Sequence, residues 1–239
     1  MSPGDQTHRD DLLSDDIYRR LKEYILCDVI RPPERLQIGQ LSRHFGVSIT
    51  PVREALIRLA AENIIDSNPG RGFFYKEFIP SEQIKIHELL FCLLKYAVEN
   101  RGHEPFQLSQ DLAKSSKFDN GQAERVTAEL VATAIAREKL YEQLAAPLGN
   151  RQLTELIGNL CERTRISRIL WFEYFQDNSP AAEEPDDWIR LFQAGKNHDA
   201  LNKLQKRFEA KAHEMNALAQ TRQRRIYEAY PMLRPGSVR

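Results

Sequence analysis

Gly46-Val47-Ser48-Ile49-Thr50-Pro51-Val52-Arg53-Glu54-Ala55-Leu56 decides how the N-terminal part of this chain folds. A Gly-Val turn leads into Ser48, whose hydroxyl suits an N-cap because it can accept a bond from an orphan backbone N–H. Pro51 then falls in the first turn of the new helix, where its missing donor costs little. Upstream, Ile38, Leu41 and Phe45 recur at helical spacing, and Val52, Leu56 and Leu59 do so downstream. Two short helices joined by a tight turn, the second opening on small polar side chains and an arginine, form a helix-turn-helix pattern. Such an opening lets a helix N-terminus approach phosphates and base edges, and so implies DNA binding.

Outward from that stretch, Ile17, Leu21 and Ile25 mark an amphipathic helix beginning at Asp15, ahead of which residues 1–14 are expected to form a flexible arm. Arg31-Pro32-Pro33 breaks that helix, and the helix-turn-helix fills Gln37 to Asn63. Ile64-Ile65-Asp66 and Phe73-Phe74-Tyr75 are β-rich runs around Asn68-Pro69-Gly70-Arg71-Gly72, a strong turn signal. A hairpin directly after a recognition helix is a wing, so residues 15–78 are expected to form a winged helix-turn-helix domain. Pro80-Ser81 marks a boundary, since proline discourages helix before it and serine caps helix after it. Beyond it, helices are expected over Glu82–Arg101, Gln122–Ala146, Arg151–Phe175, Asp187–Ala194 and His198–Ala229. The segment Glu104–Asn120 is open between coil and one more short helix. The fold class is mainly α: a winged domain with a small β-hairpin, an all-α bundle over 79–230, and a tail over 231–239.

Composition narrows the function further. The chain has 239 residues, 41% of them hydrophobic, and 34 basic against 34 acidic side chains. With a formal net charge of zero, any affinity for nucleic acid must come from a local patch. From Arg43 to Lys76 five basic residues (Arg43, Arg53, Arg58, Arg71, Lys76) stand against three acidic ones (Glu54, Glu62, Asp66). Cys27, Cys92 and Cys161 lie far apart among apolar neighbours, a spacing expected of buried reduced thiols and not of a metal or redox motif. The polar N-terminus lacks signal-peptide features, and the apolar run Leu89–Leu94 is too short to span a bilayer, so a cytoplasmic location is expected. No nucleophile–base pair or phosphate loop has usable spacing, which argues against an enzyme. Asp186-Asp187 reads as a helix start, and Trp171, Phe172, Tyr174 and Phe175 as a stripe packed between helices.

The pattern resembles the GntR family of bacterial transcription regulators, in its FadR-like branch with an all-helical FCD effector domain. The residues that carry the resemblance are Ile17-Tyr18, Pro32 to Leu36, Gly46-Val47-Ser48, Thr50 to Leu56 with Leu59, and Pro69-Gly70-Arg71-Gly72. A looser match over 81–225 rests on helix order and on Leu144, Gly149-Asn150 and Leu153. The resemblance implies a homodimer that binds a palindromic double-stranded operator, with a small-molecule effector, often a carboxylate, altering operator affinity. It also implies a repressor that uses no cofactor and does not associate with membrane. The alternative is a regulator whose helical domain only dimerises and binds no metabolite.

Arg53 matches a family arginine that contacts DNA; from the first turns of the helix it can reach a phosphate or a guanine edge. Ser48 and Thr50 suit phosphate oxygens, Arg71 and Gly72 lie at the wing tip, and Arg43 and Arg58 are candidate backbone contacts. The competing reading has Arg53 and Arg58 paired with Glu54 or Glu62 on a solvated face, and Glu54 can instead position a neighbouring arginine. Ile49 departs from a common family arginine and exchanges hydrogen bonding for apolar contact, for example with a thymine methyl; Gly39 also departs from a charged position.

Many FCD domains hold a divalent metal through an acid, a histidine four residues on, and two later histidines. Spacing from Gly149-Asn150 puts those positions at Arg137, Tyr141, near Pro185 and at Arg207, none a good ligand, so no metal is expected. A shifted register through Glu138 and Glu142 with His198 or His213 is opposed by the simpler reading of those glutamates as a solvated helix face. Arg137 and Arg207, with Tyr141 and one or more of Arg163, Arg165 and Arg168, would instead present fixed positive charge to an anionic effector.

Overall fold

The computed structural model describes residues 3–27, 34–100, 122–178 and 187–233. The chain divides into two compact units, one of Met1–Phe78 with Arg225–Arg239, the other of Ile79–Arg224.

In the first unit, α1 spans Pro3–Leu26, α2 Ile38–Phe45 and α3 Ile49–Ala61, followed by strands β1 (Ile65–Asn68) and β2 (Gly72–Tyr75). The backbone of residues 3–14, expected as a flexible arm, is helical and continuous with the amphipathic segment; Pro3 occupies a first helical position, where a missing N–H is harmless. The Arg31-Pro32-Pro33 break lies outside the described residues. Helix α2 ends because Gly46 adopts a left-handed conformation, φ 67° and ψ 33°. From there the Gly46 and Val47 N–H groups turn back to the carbonyls of Arg43 and Ser42, at 3.3 and 3.1 Å. The Ser42 hydroxyl donates to the Val47 carbonyl at 2.5 Å and ties down the turn. A side chain at position 46 would force an L-residue into that region, at roughly 1 kcal/mol or more.

Ser48 takes the extended N-cap conformation of α3, but its side chain makes no capping bond, contrary to expectation. What fixes α3 is burial: Val52, Ala55, Leu56 and Leu59 are all fully buried against Ile17, Leu21 and Ile25 of α1 and Leu41 of α2. The strands pair antiparallel, with Ile65 opposite Tyr75 and Asn68 opposite Gly72. Residues 34–36 run alongside as a third edge. The Leu36 N–H donates to the Phe73 carbonyl at 2.8 Å and the Tyr75 N–H to the Glu34 carbonyl at 3.0 Å.

The second unit is helical: α4 (Pro80–Asn100), α5 (Gln122–Ala145), α6 (Arg151–Arg163), α7 (Arg165–Asn178), α8 (Asp187–Gln193) and α9 (Asn197–Ala229), the last running on into residues of the first unit. Its core joins Leu90 and Leu94 of α4, Tyr141 and Leu144 of α5, Ile157 and Leu160 of α6, Trp188 and Phe192 of α8, and Leu204 and Phe208 of α9. The single helix expected over Arg151–Phe175 is two. Thr164 departs from helical geometry, and its hydroxyl donates to the Leu160 and Cys161 carbonyls, competing with the backbone ladder. The segment Glu104–Asn120 lies outside the described residues. Of the cysteines only Cys161 is buried; Cys92 is exposed and Cys27 half-buried, a correction to the expectation of three buried thiols. No described helix is long and apolar enough to cross a membrane.

Candidate functional site

Two places concentrate chemistry, one in each unit. On α3, residues four apart share a face, and the helix presents two such rows besides its buried one. Glu54, Arg58 and Glu62 look at α1. The Ser14 hydroxyl donates to Glu54 at 3.2 Å, Arg58 Nη1 bonds Asp15 at 2.6 Å with its guanidinium 3.8 Å from the Tyr18 ring centroid, and Tyr18 and Lys22 both engage Glu62. Ile49, Arg53 and Ile57 form the second row, exposed together with Thr50 beside it. Ile49 and Ile57 are 51% and 54% exposed, an apolar exposure that nothing within the unit accounts for.

This division bears on two expectations. Arg58, expected as a backbone contact, is instead engaged on α1, where Asp15 and the face of Tyr18 hold its half-exposed guanidinium. Glu54 accepts from Ser14 instead of orienting a neighbouring arginine. Among the described residues Arg53 makes no ion pair, so its guanidinium is available on the exposed row. Ser48 and Thr50 are exposed at the opening of α3. Arg43 is exposed on α2, and its guanidinium packs by the place a Gly39 side chain would fill, 3.9 Å away.

Arg71 is exposed at the wing turn, where its N–H closes on the Asn68 carbonyl at 2.9 Å. Gly72 has φ +102°, and a Cβ there would lie 3.1 Å from Arg35 Nε. Gly72 therefore acts through its lack of a side chain: it makes the seat in which Arg35 rests at the base of the wing. The sequence reading missed Arg35. Its signal was present in the Pro32-to-Leu36 stretch, but only the pairing of residues 34–36 with β2 places it at the wing.

In the helical unit the polar groups gather around Tyr141, which is buried against Trp188 and Phe208 with ring centroids 6.1 and 5.9 Å away. The Arg137 guanidinium lies 5.1 Å from the Trp188 ring, and Arg137 is buried. Arg168, with no exposed surface, donates to Thr164 Oγ1 at 2.7 Å, to Glu138 Oε1 at 2.5 Å and to the Cys161 carbonyl, filling the gap opened by the α6–α7 break. Arg165 forks onto both oxygens of Glu138, at 2.9 and 2.7 Å. Burial pushes the Glu138 carboxyl up, but Arg168 and Arg165 outweigh it and hold it below the usual carboxylate range.

Three corrections follow. Glu138 is no solvated face but a buried counter-ion shared by two arginines. Arg165 is committed to Glu138 and does not point its fork at an effector. Arg207 is half-buried, whereas Arg137, Tyr141, Arg165 and Arg168 of the expected set are buried. His198 and His213 are exposed, and among the described residues no group of three potential ligands could hold a metal ion. Of the aromatic stripe, Trp171 is buried, Phe172 and Tyr174 are half-buried, and the Phe175 side chain lies outside the described ones.

Two buried residues at this site were not anticipated. Lys211 is 3% exposed, its ammonium 5.8 Å from the Trp171 ring and 6.0 Å from the Phe208 ring, with no acceptor among the described residues. Burial first, then repulsion from Arg207, Arg168 and Arg137, drives that ammonium well below its ordinary range. His87 sits edge-on to Phe208 and bonds Ser167 through Nε2 at 2.8 Å. Because the Ser167 hydroxyl gives its own proton to the Thr164 carbonyl, it accepts from His87, and the imidazole proton belongs on Nε2. Burial, Lys211 and Arg168 keep His87 neutral. The signal for Lys211 was its place in the series Leu204, Phe208, Lys211, Met215, Leu218, the buried stripe of α9. A lysine on such a stripe is an anomaly by itself. Together these groups gather cationic and N–H side chains (Arg137, Arg168, Lys211, Trp188) beside the rings of Tyr141, Trp188 and Phe208.

Comparison with known proteins bears on both units. Residues 13–74 match the family of bacterial regulatory proteins described as gntR. The chain is 25% identical over 153 residues to the HTH-type transcriptional regulator YdhC of Bacillus subtilis (strain 168), covering 64% of this chain and 68% of that one. It is 32% identical over 102 residues to the HTH-type transcriptional repressor RspR of Escherichia coli (strain K12), covering 40% and 44%. A crystal structure of a GntR transcriptional regulator from Rhodococcus sp. RHA1 superposes with a TM-score of 0.63 over 85% of this chain and 97% of that one, at 16% identity, a likeness of fold.

Proposed function

Because this chain belongs to the GntR family of bacterial regulatory proteins, and is a DNA-binding helix-turn-helix transcription regulator with an all-helical C-terminal domain, we propose that it is a cytoplasmic, dimeric repressor of the FCD type. Its winged units meet the two halves of a palindromic operator, and a small anionic metabolite in the helical unit changes operator affinity. One recognition helix covers only a few base pairs, and a two-fold dimer doubles the contacts at a fixed half-site spacing. The exposed row Ile49, Arg53 and Ile57, with Thr50, supplies the base-facing surface, while Ser48, Arg43, Arg71 and Arg35 supply contacts to the sugar-phosphate backbone and the groove beside it. Leu89 and Tyr96 on α4, 46% and 53% exposed, give an apolar strip for the second copy. The repressor sign follows the printed function of the relative RspR.

The observation that carries the effector reading is the burial of Lys211, 3% exposed beside the Trp171 and Phe208 rings. A domain that only dimerises has no use for a lysine on the buried stripe of its last helix, where a charged ammonium costs several kcal/mol unless matched by opposite charge (of that order for an effective buried ion). In vitro selection of genomic fragments by the purified protein at near-physiological salt tests the whole reading. A recurrent palindrome supports it, and failure of the folded, dimeric protein to enrich any sequence refutes it. The genes beside the recovered sites then narrow the effector.

A further inference from the structure

We propose that this regulator reads its operator in part through methyl groups: Ile49 and Ile57 each rest on the C5-methyl of a thymine in the major groove, on either side of a guanine that Arg53 reads. The inference rests on the base-facing row assigned above and adds the chemical group that is recognised and the composition of the half-site.

Ile49 and Ile57 are 51% and 54% exposed, and Arg53 stands between them on a row that ends on exposed Ala61. The acids of α3 and of its C-cap are turned away from this row: Glu54 accepts from Ser14, and Glu62 engages Tyr18 and Lys22. Arg53 pairs with no acid among the described residues. The row therefore presents two bare branched side chains and one permanent cation between them, with no negative charge.

That alternation selects its partner. A purely apolar surface would bury the guanidinium without an acceptor, and an unbroken run of polar base edges would set the isoleucines against groups that need hydrogen bonds. In the major groove guanine offers two acceptors, O6 and N7, to an arginine fork, and thymine is the base that carries a C5-methyl. A half-site with thymines flanking a guanine meets all three side chains. The spacing agrees with this. Successive members of the row are four residues apart, ~6 Å along the helix axis and close to two base steps of ~3.4 Å. With the helix lying along the groove, the isoleucines select methyls about two steps to each side of the guanine.

The full chain selects duplexes from a random synthetic library, and the consensus is resynthesised with deoxyuridine, which lacks only the methyl, at each thymine in turn. Fluorescence anisotropy gives the Kd of each duplex. The expected result is a half-site with thymine on both sides of a guanine. Replacing either thymine should weaken binding ~4-fold, the worth of one buried methyl at ~0.8 kcal/mol. Ile49→Ala should bind the thymine and deoxyuridine duplexes equally at one flanking position, and Ile57→Ala at the other. Both side chains are about half exposed, so the fold should be retained, as melting followed by circular dichroism checks. Ile49→Arg should exchange thymine for guanine at its position in a repeated selection, a gain that misfolding does not produce. A flanking position without thymine, or with equal affinity for both duplexes, overturns the isoleucine assigned to it, as does a deoxyuridine penalty that persists in its alanine variant. If Arg53→Ala still changes the affinity, the base-facing row stands without its methyl readout. If Arg53→Ala leaves both consensus and affinity unchanged, or the folded chain selects no sequence, the row falls and this inference with it.

Discussion

Replacing Glu138 by glutamine should destabilise the helical unit while leaving its shape almost untouched. Glu138 holds Arg165 through two bonds and Arg168 through a third, and all three side chains are at most 6% exposed. Solvent screening is therefore slight, and removing the negative partner strands two buried guanidiniums. Breaking a buried ion pair from one side costs ~3–5 kcal/mol. The amide oxygen still accepts one bond, which puts the expectation at the lower end, about 3 kcal/mol. For a domain of ~150 residues this lowers Tm by roughly 6–12 °C, at ~2–4 °C per kcal/mol. Both tryptophans lie in the helical unit, so fluorescence-monitored melting reports that unit alone. The sign with pH is fixed as well. A carboxyl held below its ordinary range contributes stability that is present above that range and is lost as pH falls through the folded value. The gap between wild type and variant should consequently close in acid. A Tm within about 2 °C of wild type at neutral pH, less than ~1 kcal/mol, would refute the argument that this carboxylate anchors the cluster.

Other perturbations separate roles that share a residue type. Arg53→Ala should cost ~1–3 kcal/mol of specific operator binding with no change in melting, measured by fluorescence anisotropy on specific and scrambled duplexes. Arg58→Ala should do the reverse. Its pair with Asp15 is about half exposed, so the loss is on the order of 0.5–1 kcal/mol of winged-domain stability, and sequence preference should be retained. Gly72→Ala imposes a positive φ on an L-residue and crowds Arg35, and it should weaken operator binding through the wing; binding equal to wild type would sink the assignment of Arg35 to that seat. Finally, Lys211 and His87 are both held below their ordinary values in the folded chain. Where the unfolded state binds more protons, stability rises with pH. The ligand-free helical unit should therefore gain stability as pH rises from neutral toward the ordinary lysine range, and lose it as pH falls through the ordinary histidine range. A flat alkaline limb in a pH series of melts would contradict the depression of Lys211 by burial.

The winged domain was legible because its signals are local. Gly46 requires a left-handed turn, Asn68 to Gly72 require a hairpin loop, and the period of Val52, Leu56 and Leu59 shows which face of α3 is covered. What could not be read there was which α1 residue each α3 side chain meets, and so Arg58 was placed with the DNA contacts when Asp15 and Tyr18 claim it. In the helical domain, element order was legible from period and breakers, whereas the break at Thr164 was not. A threonine inside an apolar period carries no breaking signal until a buried arginine arrives to bond its hydroxyl and the Cys161 carbonyl. The proposed effector site was half visible. Arg137 and Tyr141 were found through family spacing, but Lys211 sits in a run rich in charge, Arg207 to Glu214, that looks like a solvated face unless the stripe through Leu204, Phe208, Met215 and Leu218 is followed across it.

That stripe sharpens the physical case for function in the helical domain. A packed apolar residue at position 211 would extend the core of α9 and, by analogy with buried ion pairs replaced by hydrophobic side chains, could add ~1–4 kcal/mol of stability. The same holds for Arg137 on the buried stripe of α5 beside Leu130, Ala134 and Tyr141. Natural proteins are seldom at their stability optimum, and departures of this kind gather where function needs them. Arg165 and Arg168 have a structural justification, since Glu138 and the Cys161 carbonyl use them. Lys211 has none within the described residues: no acceptor, two aromatic faces, and like charges on α5, α7 and its own helix. A group that destabilises the protein and has no partner among the described residues is best accounted for by something that enters, which on the proposed reading is a small anion.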